Sequence, residues 1–202
     1  MCGKTNLNYT NINRGISLQN IFFTSDLHLN HNKVILPEYC NRPFTDIKEM
    51  NEALIYNWNY TVRANDKVYV LGDFAFGDPE PFLKQLKGYK ILIKGNHDRY
   101  SNDKALRKGF NEVYDLKTIK MPENTITLCH FPMYSWSRSH FGAWHLHGHN
   151  HNYPIDFHKY RYNVGVDVND FTPISYEEIK IIFANQLEQS INNSKEQLHD
   201  EL

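Results

Sequence analysis

The chain reads as a layered α/β sandwich, on three observations. Short apolar, β-prone runs alternate with helix-period segments early, and strands then cluster later in the chain. Four of the apolar runs finish at islands of carboxylate, amide or imidazole side chains. Open α/β sheets build their sites outside the carboxyl ends of strands, so this order gathers distant islands into one place.

The elements follow in order. Residues 1–20 form a polar arm, and Ile21–Ser25 is a first strand that ends at Asp26-Leu27-His28. Residues 29–45 read as loop, broken by Pro37 and Pro43. Ile47, Met50, Leu54, Trp58 and Val62 recur at three- and four-residue steps, which predicts a helix over 47–62 capped by Thr45 or Asp46. Val68–Leu71 runs into Gly72-Asp73, and Asp78-Pro79 opens a short helix that Gly88 closes. Lys90–Ile93 is a third strand and delivers Gly95-Asn96-His97-Asp98, with a brief helix over 101–109 behind it. Residues 113–120 and 124–129 are two strands about a turn at Pro122, the second ending at His130. One more strand leads into Gly148-His149-Asn150-His151, and another spans Arg161–Asp167. Ser175-Tyr176-Glu177-Glu178 is a capping box for a last helix over 175–188, with a polar tail over 189–202. With no repeat or linker inside 21–188, one domain is expected.

Composition narrows the function. The 202 residues carry a net charge of −1, so no global field draws in nucleic acid or anionic membrane. A nuclease acting on single strands would want a basic groove, which this balance does not support. The three cysteines, Cys2, Cys40 and Cys129, are widely spaced and odd in number, pointing to a reducing compartment. The polar N-terminus is no signal peptide, so the terminal His-Asp-Glu-Leu is taken as coincidence and a cytoplasmic location is expected.

The islands carry the chemistry. Asp26 and His28 sit two apart, and strand period would put both on one side with Leu27 turned away. The two carboxylate oxygens of Asp73 suit it to bridging two cations, and Asn96 offers an amide oxygen. Asp98 is placed to fix the tautomer of His97, which is left for general-acid work. His145, His147, His149 and His151 alternate, and spacing alone does not choose among them, although Gly148 permits close backbone approach. Structural zinc sites are usually rich in cysteine, which this set is not. Taken singly each island is weak, but five in order at strand ends are specific.

The order Asp-x-His, Gly-Asp, Gly-Asn-His-Asp, His, Gly-His-x-His resembles the calcineurin-like metallophosphoesterases over residues 21 to about 170. The resemblance implies a two-sheet β-sandwich flanked by helices in four layers, holding two divalent ions. By position, Asp26, His28 and His151 would hold one ion and Asn96, His130 and His149 the other, with Asp73 between them. His97 would be the catalytic histidine with Asp98 behind it. Manganese is favoured, with iron, zinc, nickel or cobalt as alternatives. The expected activity is hydrolysis of a phosphodiester or phosphomonoester, with a small phosphorylated substrate, a nucleotide among the candidates. A non-catalytic scaffold on the same fold is the alternative. His31, Arg42 and Arg99 are candidates for substrate phosphate, and Tyr134, Trp136, Trp144 and Tyr153 are aromatics that stack a base or, more economically, fill core.

Overall fold

The computed structural model describes residues 19–98 and 109–200. Its first sheet has five strands: β1 (Ile21–Thr24), β2 (Lys67–Val70), β3 (Tyr89–Ile93), β4 (Glu112–Tyr114) and β9 (Ile174–Ser175), in the order β4-β3-β2-β1-β9. The first four are mutually parallel, and β9 closes the edge antiparallel to β1. The second sheet orders β5 (Lys117–Lys120), β6 (Thr125–Leu128), β7 (Trp144–His147) and β8 (Arg161–Asn163), with β5 antiparallel to β6 and the others parallel. Both sheets are mixed and flanked by helices, as the sequence predicts.

Strand alternation divides the core in two. Phe22, Val68, Val70 and Leu92 face helix α1 (Ile47–Thr61) and pack on its Met50, Leu54 and Trp58. Phe23, Tyr69, Leu71, Ile91 and Ile93 face the other way, onto Ile119, Ile126, Leu128 and Leu146 of the second sheet. Ile179 and Phe183 of the last helix, α3 (Tyr176–Asp200), join this second cluster. The first sheet is therefore apolar on both faces, as parallel sheets are. That leaves the strand ends as the place for polar groups.

The helix ends follow their local chemistry. Asp46 caps α1 by accepting from the Glu49 N–H at 2.9 Å. Glu178 N–H donates to Ser175 Oγ while the Glu178 carboxylate accepts from Ser175 N–H, which is the expected capping box. The short α2 covers Glu80–Leu83 behind Pro79.

Three expectations need correction. The run 113–120 is not one strand, because the chain leaves the first sheet after Tyr114 and enters the second at Lys117. Arg161–Asp167 is strand only to Asn163, then a 3-10 turn at Val166–Val168. The last helix continues to Asp200, because the polar residues past 188 contain no glycine or proline to stop it. Residues 101–108 of the helix expected over 101–109, and residues 1–18 of the polar arm expected over 1–20, lie outside the described residues.

Trp58 is 1% exposed, and its indole N–H donates to Lys87 O at 3.0 Å, tying α1 to the chain before β3. Trp58→Ala is expected to cost about 3–5 kcal/mol in urea unfolding. A loss below about 1 kcal/mol would show that the α1 layer contributes little to stability.

Candidate metal centre

Backbone pairing continues beyond the strands and brings the islands together. Asp26 N–H donates to Gly72 O at 3.0 Å and His28 N–H to Asp73 O at 2.9 Å, so the first two islands run side by side. Gly148 N–H donates to His130 O at 2.9 Å, joining the fourth and fifth. The glycines allow these approaches. A Cβ on Gly72 would lie 2.6 Å from the Gly95 backbone and from His130 Nδ1. One on Gly148 would overlap Ser25 Oγ and Asp26 Oδ2.

The side chains converge as two sets around one carboxylate. Ligand atoms of Asp26, His28 and His151 lie within 4.8 Å of one another, as do those of Asp26, Asp73 and His130. Asp73 Oδ2 is 3.5 Å from His28 Nε2 and 3.5 Å from His130 Nε2. Asn96 Oδ1 is 2.9 Å from His130 Nε2 and 3.0 Å from His149 Nδ1. His130 donates from Nδ1 to Leu71 O at 2.7 Å, which leaves Nε2 as its lone-pair atom facing Asp73 and Asn96.

Two of these atoms are buried without a hydrogen-bond partner. They are Asp26 Oδ1 and His28 Nε2, 3.9 Å apart. A buried carboxylate oxygen and a buried imidazole nitrogen left facing each other are costly unless a cation lies between them. Burial raises the Asp26 carboxyl above its ordinary range, opposed by the nearby His130 and His151. Burial also holds His28 well below the usual imidazole value, reinforced by His151 and Arg42. Such donors, neutral imidazole and carboxylate aimed at one point, fit a divalent ion.

The backbone is strained where these ligands sit. Asp26, His28, Asp73, His149 and His151 all have φ between 49° and 70°. Each non-glycine residue in this left-handed region costs roughly 1–3 kcal/mol. Asp26 and His28 therefore converge through left-handed turns, and not through the strand alternation that their spacing suggests.

A model of the calcineurin-like phosphoesterases matches residues 19–185. The chain belongs to that family. An uncharacterized protein of Methanocaldococcus jannaschii is 33% identical over 190 residues, covering 88% of this chain and 99% of its own. The gene 66 protein of Mycobacterium phage D29 is 31% identical over 134 residues, 57% of this chain and 65% of its own. Among solved structures, a protein of unknown function from Aquifex aeolicus aligns with a TM-score of 0.63 at 27% identity, covering 81% of this chain and 99% of that one. Membership suggests hydrolase chemistry, and this chain has clusters of candidate metal ligands. Among the described residues no helix is long and apolar enough to cross a membrane.

Not every predicted site residue has its expected surroundings. Arg42 is buried and turned inward: it donates to Asp26 O at 2.6 Å, Leu27 O at 2.8 Å and both oxygens of Asp167 at 2.7 and 2.8 Å. Its donors are used in bracing the first island, so it does not meet substrate phosphate. Asp98 does not stand behind the His97 ring. Its oxygens accept from the backbone of Asp73, Phe74 and Gly95 at 2.7–3.0 Å, clamping two islands together. His97 itself is exposed, with its N–H on Asp73 Oδ1 at 2.8 Å and its ring 5.5 Å from His28. His31 lies beside His28, with their Nδ1 atoms 3.0 Å apart, and burial lowers its pKa to about 4. Arg99 lies outside the described residues.

Asp167 also belongs to this centre. Its Oδ2 accepts from His151 Nδ1 at 2.7 Å, which leaves Nε2 as the lone-pair atom of the neutral ring. Burial alone would lower the His151 pKa, but Asp167, Cys40 and Asp26 outweigh it and push it up to about 10. Cys40 Sγ falls in one cluster with His151 and Asp167. Nothing in the spacing of Arg42, Asp167 and His151 announces this triangle. Of the aromatics, Trp136 is core with its N–H on Ala143 O, and Trp144 stacks on Phe183, whereas Tyr134 and Tyr153 are exposed.

The structure also separates the alternating histidines. His145 and His147 lie within β7 and are buried, while His149 and His151 follow Gly148 in left-handed turns. His145 bonds Thr127 O and the Met133 N–H, and burial lowers its pKa to about 4. A buried imidazole with a lowered pKa binds its proton only when unfolded. Stability is therefore full above the unfolded value of about 6.5 and is lost as pH falls toward 4, by about 1.4 kcal/mol per pH unit for one such group. His145→Gln is expected to flatten the decline of urea stability over that window. An unchanged slope would mean that His145 does not drive it.

Proposed function

We propose that the chain hydrolyses a phosphoric ester with two divalent metal ions as cofactors. The observation that carries this reading is Asp73 Oδ2, buried and equidistant at 3.5 Å from one imidazole of each donor set. In this reading Asp26, His28 and His151 hold one ion, Asn96, His130 and His149 hold the other, and Asp73 is shared. The set offers carboxylate, amide and imidazole, which suits manganese first, then iron, zinc, nickel or cobalt. When bound, such a pair supplies Lewis acidity and makes a water acidic near neutral pH.

The chain's own residues do the rest. Fully buried Asp26 and His130 form a floor, whereas His149 and His97 are exposed and leave the front open to substrate. The bond from His97 N–H to Asp73 fixes where that ring hangs. His97 can then donate a proton to the leaving oxygen without competing for a ligand position. A net charge of −1 favours a small phosphorylated substrate over a nucleic-acid strand. The free cysteines Cys40 and Cys129 support a reducing, cytoplasmic setting.

The test is turnover of aryl phosphate mono- and diesters by purified protein supplied with manganese or another of these metals, with ions per chain counted. Chelation is expected to abolish activity, and the re-added metal to restore it. His97→Ala should keep both ions and lose on the order of 10²–10³ in rate. Asp73→Ala should lose the ions. Two ions per chain in Asp73→Ala, or lost metal in His97→Ala, would break the assignment, and metal-loaded wild type that turns over no ester would favour a scaffold.

A further inference from the structure

Two phenylalanines stand at the centre outside both apolar core clusters. Phe76 is 40% exposed and Phe131 is 45% exposed, and neither belongs to either core cluster. Phe76 lies flat on His31, with centroids 3.9 Å apart and planes at 18°, and is 5.4 Å from His97. Phe131 meets His130 and His149 edge-on at 5.0 and 4.7 Å. The ring contacts run from Phe76 through His97 to His28, and Asp73 Oδ2 lies between His28 and His130. One phenyl ring thus adjoins His31 and His97, next to His28, and the other adjoins His130 and His149.

Both are held in place by the backbone that builds the site. Phe76 N–H donates to Leu29 O at 2.7 Å, and Phe131 follows His130 directly. Apolar rings kept in water beside a polar centre, and fixed there, are suited to a ligand that covers them.

We infer that Phe76 and Phe131 determine specificity by holding two planar substituents of one phosphorus, so that the preferred ester is a diester with ring-bearing arms. This rests on the hydrolytic reading above. A monoester has a single carbon arm and would leave one ring bare. Phe76 adjoins His97 and receives the leaving arm, while Phe131 receives the arm that stays. In the reaction the water oxygen forms the new P–O bond and releases a proton to solvent, the bond to the leaving arm breaks, and the oxygen of that arm takes a proton from His97, which solvent reprotonates. Aryl groups and nucleobases share the flat π-face that stacks on phenyl.

The experiment compares three esters with one leaving group, p-nitrophenol: the bis(p-nitrophenyl) diester, the thymidine 5′-monophosphate diester and the methyl diester. The p-nitrophenyl monoester is the fourth substrate. Wild type should favour the two ring-bearing diesters over the methyl diester by about tenfold in kcat/KM, chiefly through KM. Phe131→Ala should erase that preference and Phe131→Trp should restore it, while Phe76→Ala should lower kcat/KM for all three diesters. Calorimetry with diphenyl phosphate against dimethyl phosphate should show the same preference in binding, lost in Phe131→Ala. Preference for one ring-bearing diester alone identifies the arm as aryl or nucleoside. Wild type that prefers the monoester, or an unaltered preference in Phe131→Ala with unchanged thermal melting, overturns the inference and leaves the hydrolytic reading standing. No turnover of any ester by metal-loaded wild type removes both.

Discussion

A carboxylate taken out of water needs positive charge or several donors, and the arrangement of this molecule follows from that need. Asp26 and Asp73 are both buried, and Asp26 Oδ1 has no donor among the described residues. His130 cannot meet the need as a neutral ring, because its Nδ1–H is used on Leu71 O and its lone-pair Nε2 faces Asp73. Without an ion, protonated His151 carries some of the charge, its pKa lifted by Asp167, Cys40 and Asp26. Divalent ions would satisfy all of these atoms together.

Holding such a cluster has a structural cost, which the surrounding fold offsets. Five ligand candidates occupy left-handed backbone, a strain that persists only where neighbours over-determine it. The neighbours here are identifiable. Asp98 clamps Gly72-Asp73-Phe74 to Gly95 through three amides. Arg42 links the carbonyls of Asp26 and Leu27 to Asp167, and Asp167 orients His151. Asn163 holds the last island by donating to His151 O at 3.0 Å while accepting from Gly165 N–H. The two apolar core clusters beneath give these loops a rigid base.

The same architecture separates a braced floor from an open rim. The floor is made from strand ends and buried polar braces, which tolerate little change. The exposed rim, with Phe76, Phe131 and Tyr134, makes few structural demands and is free to vary. The relatives in Methanocaldococcus jannaschii and Aquifex aeolicus align with this chain across 99% of their own lengths.

The sequence by itself determined where strands end and which donors follow them. Runs such as Val68–Leu71 and Lys90–Ile93 are apolar enough to be buried and are stopped by glycine, so the position of their islands at strand ends is legible in the sequence. The capping box at Ser175 and the cap at Asp46 were equally local. Tertiary structure alone decided the rest, because it depends on partners far apart in the chain. Arg42 is a brace because Asp167 lies across the fold from it, and Asp98 is a clamp because two amides from the distant Asp73 turn meet it beside the Gly95 amide of its own turn. The 113–120 run changes sheets at Asp115 and Leu116, a bend that no periodicity records. His149 and His151 part company with His145 and His147 because the backbone turns left-handed after Gly148, and strand period ends where that turn begins.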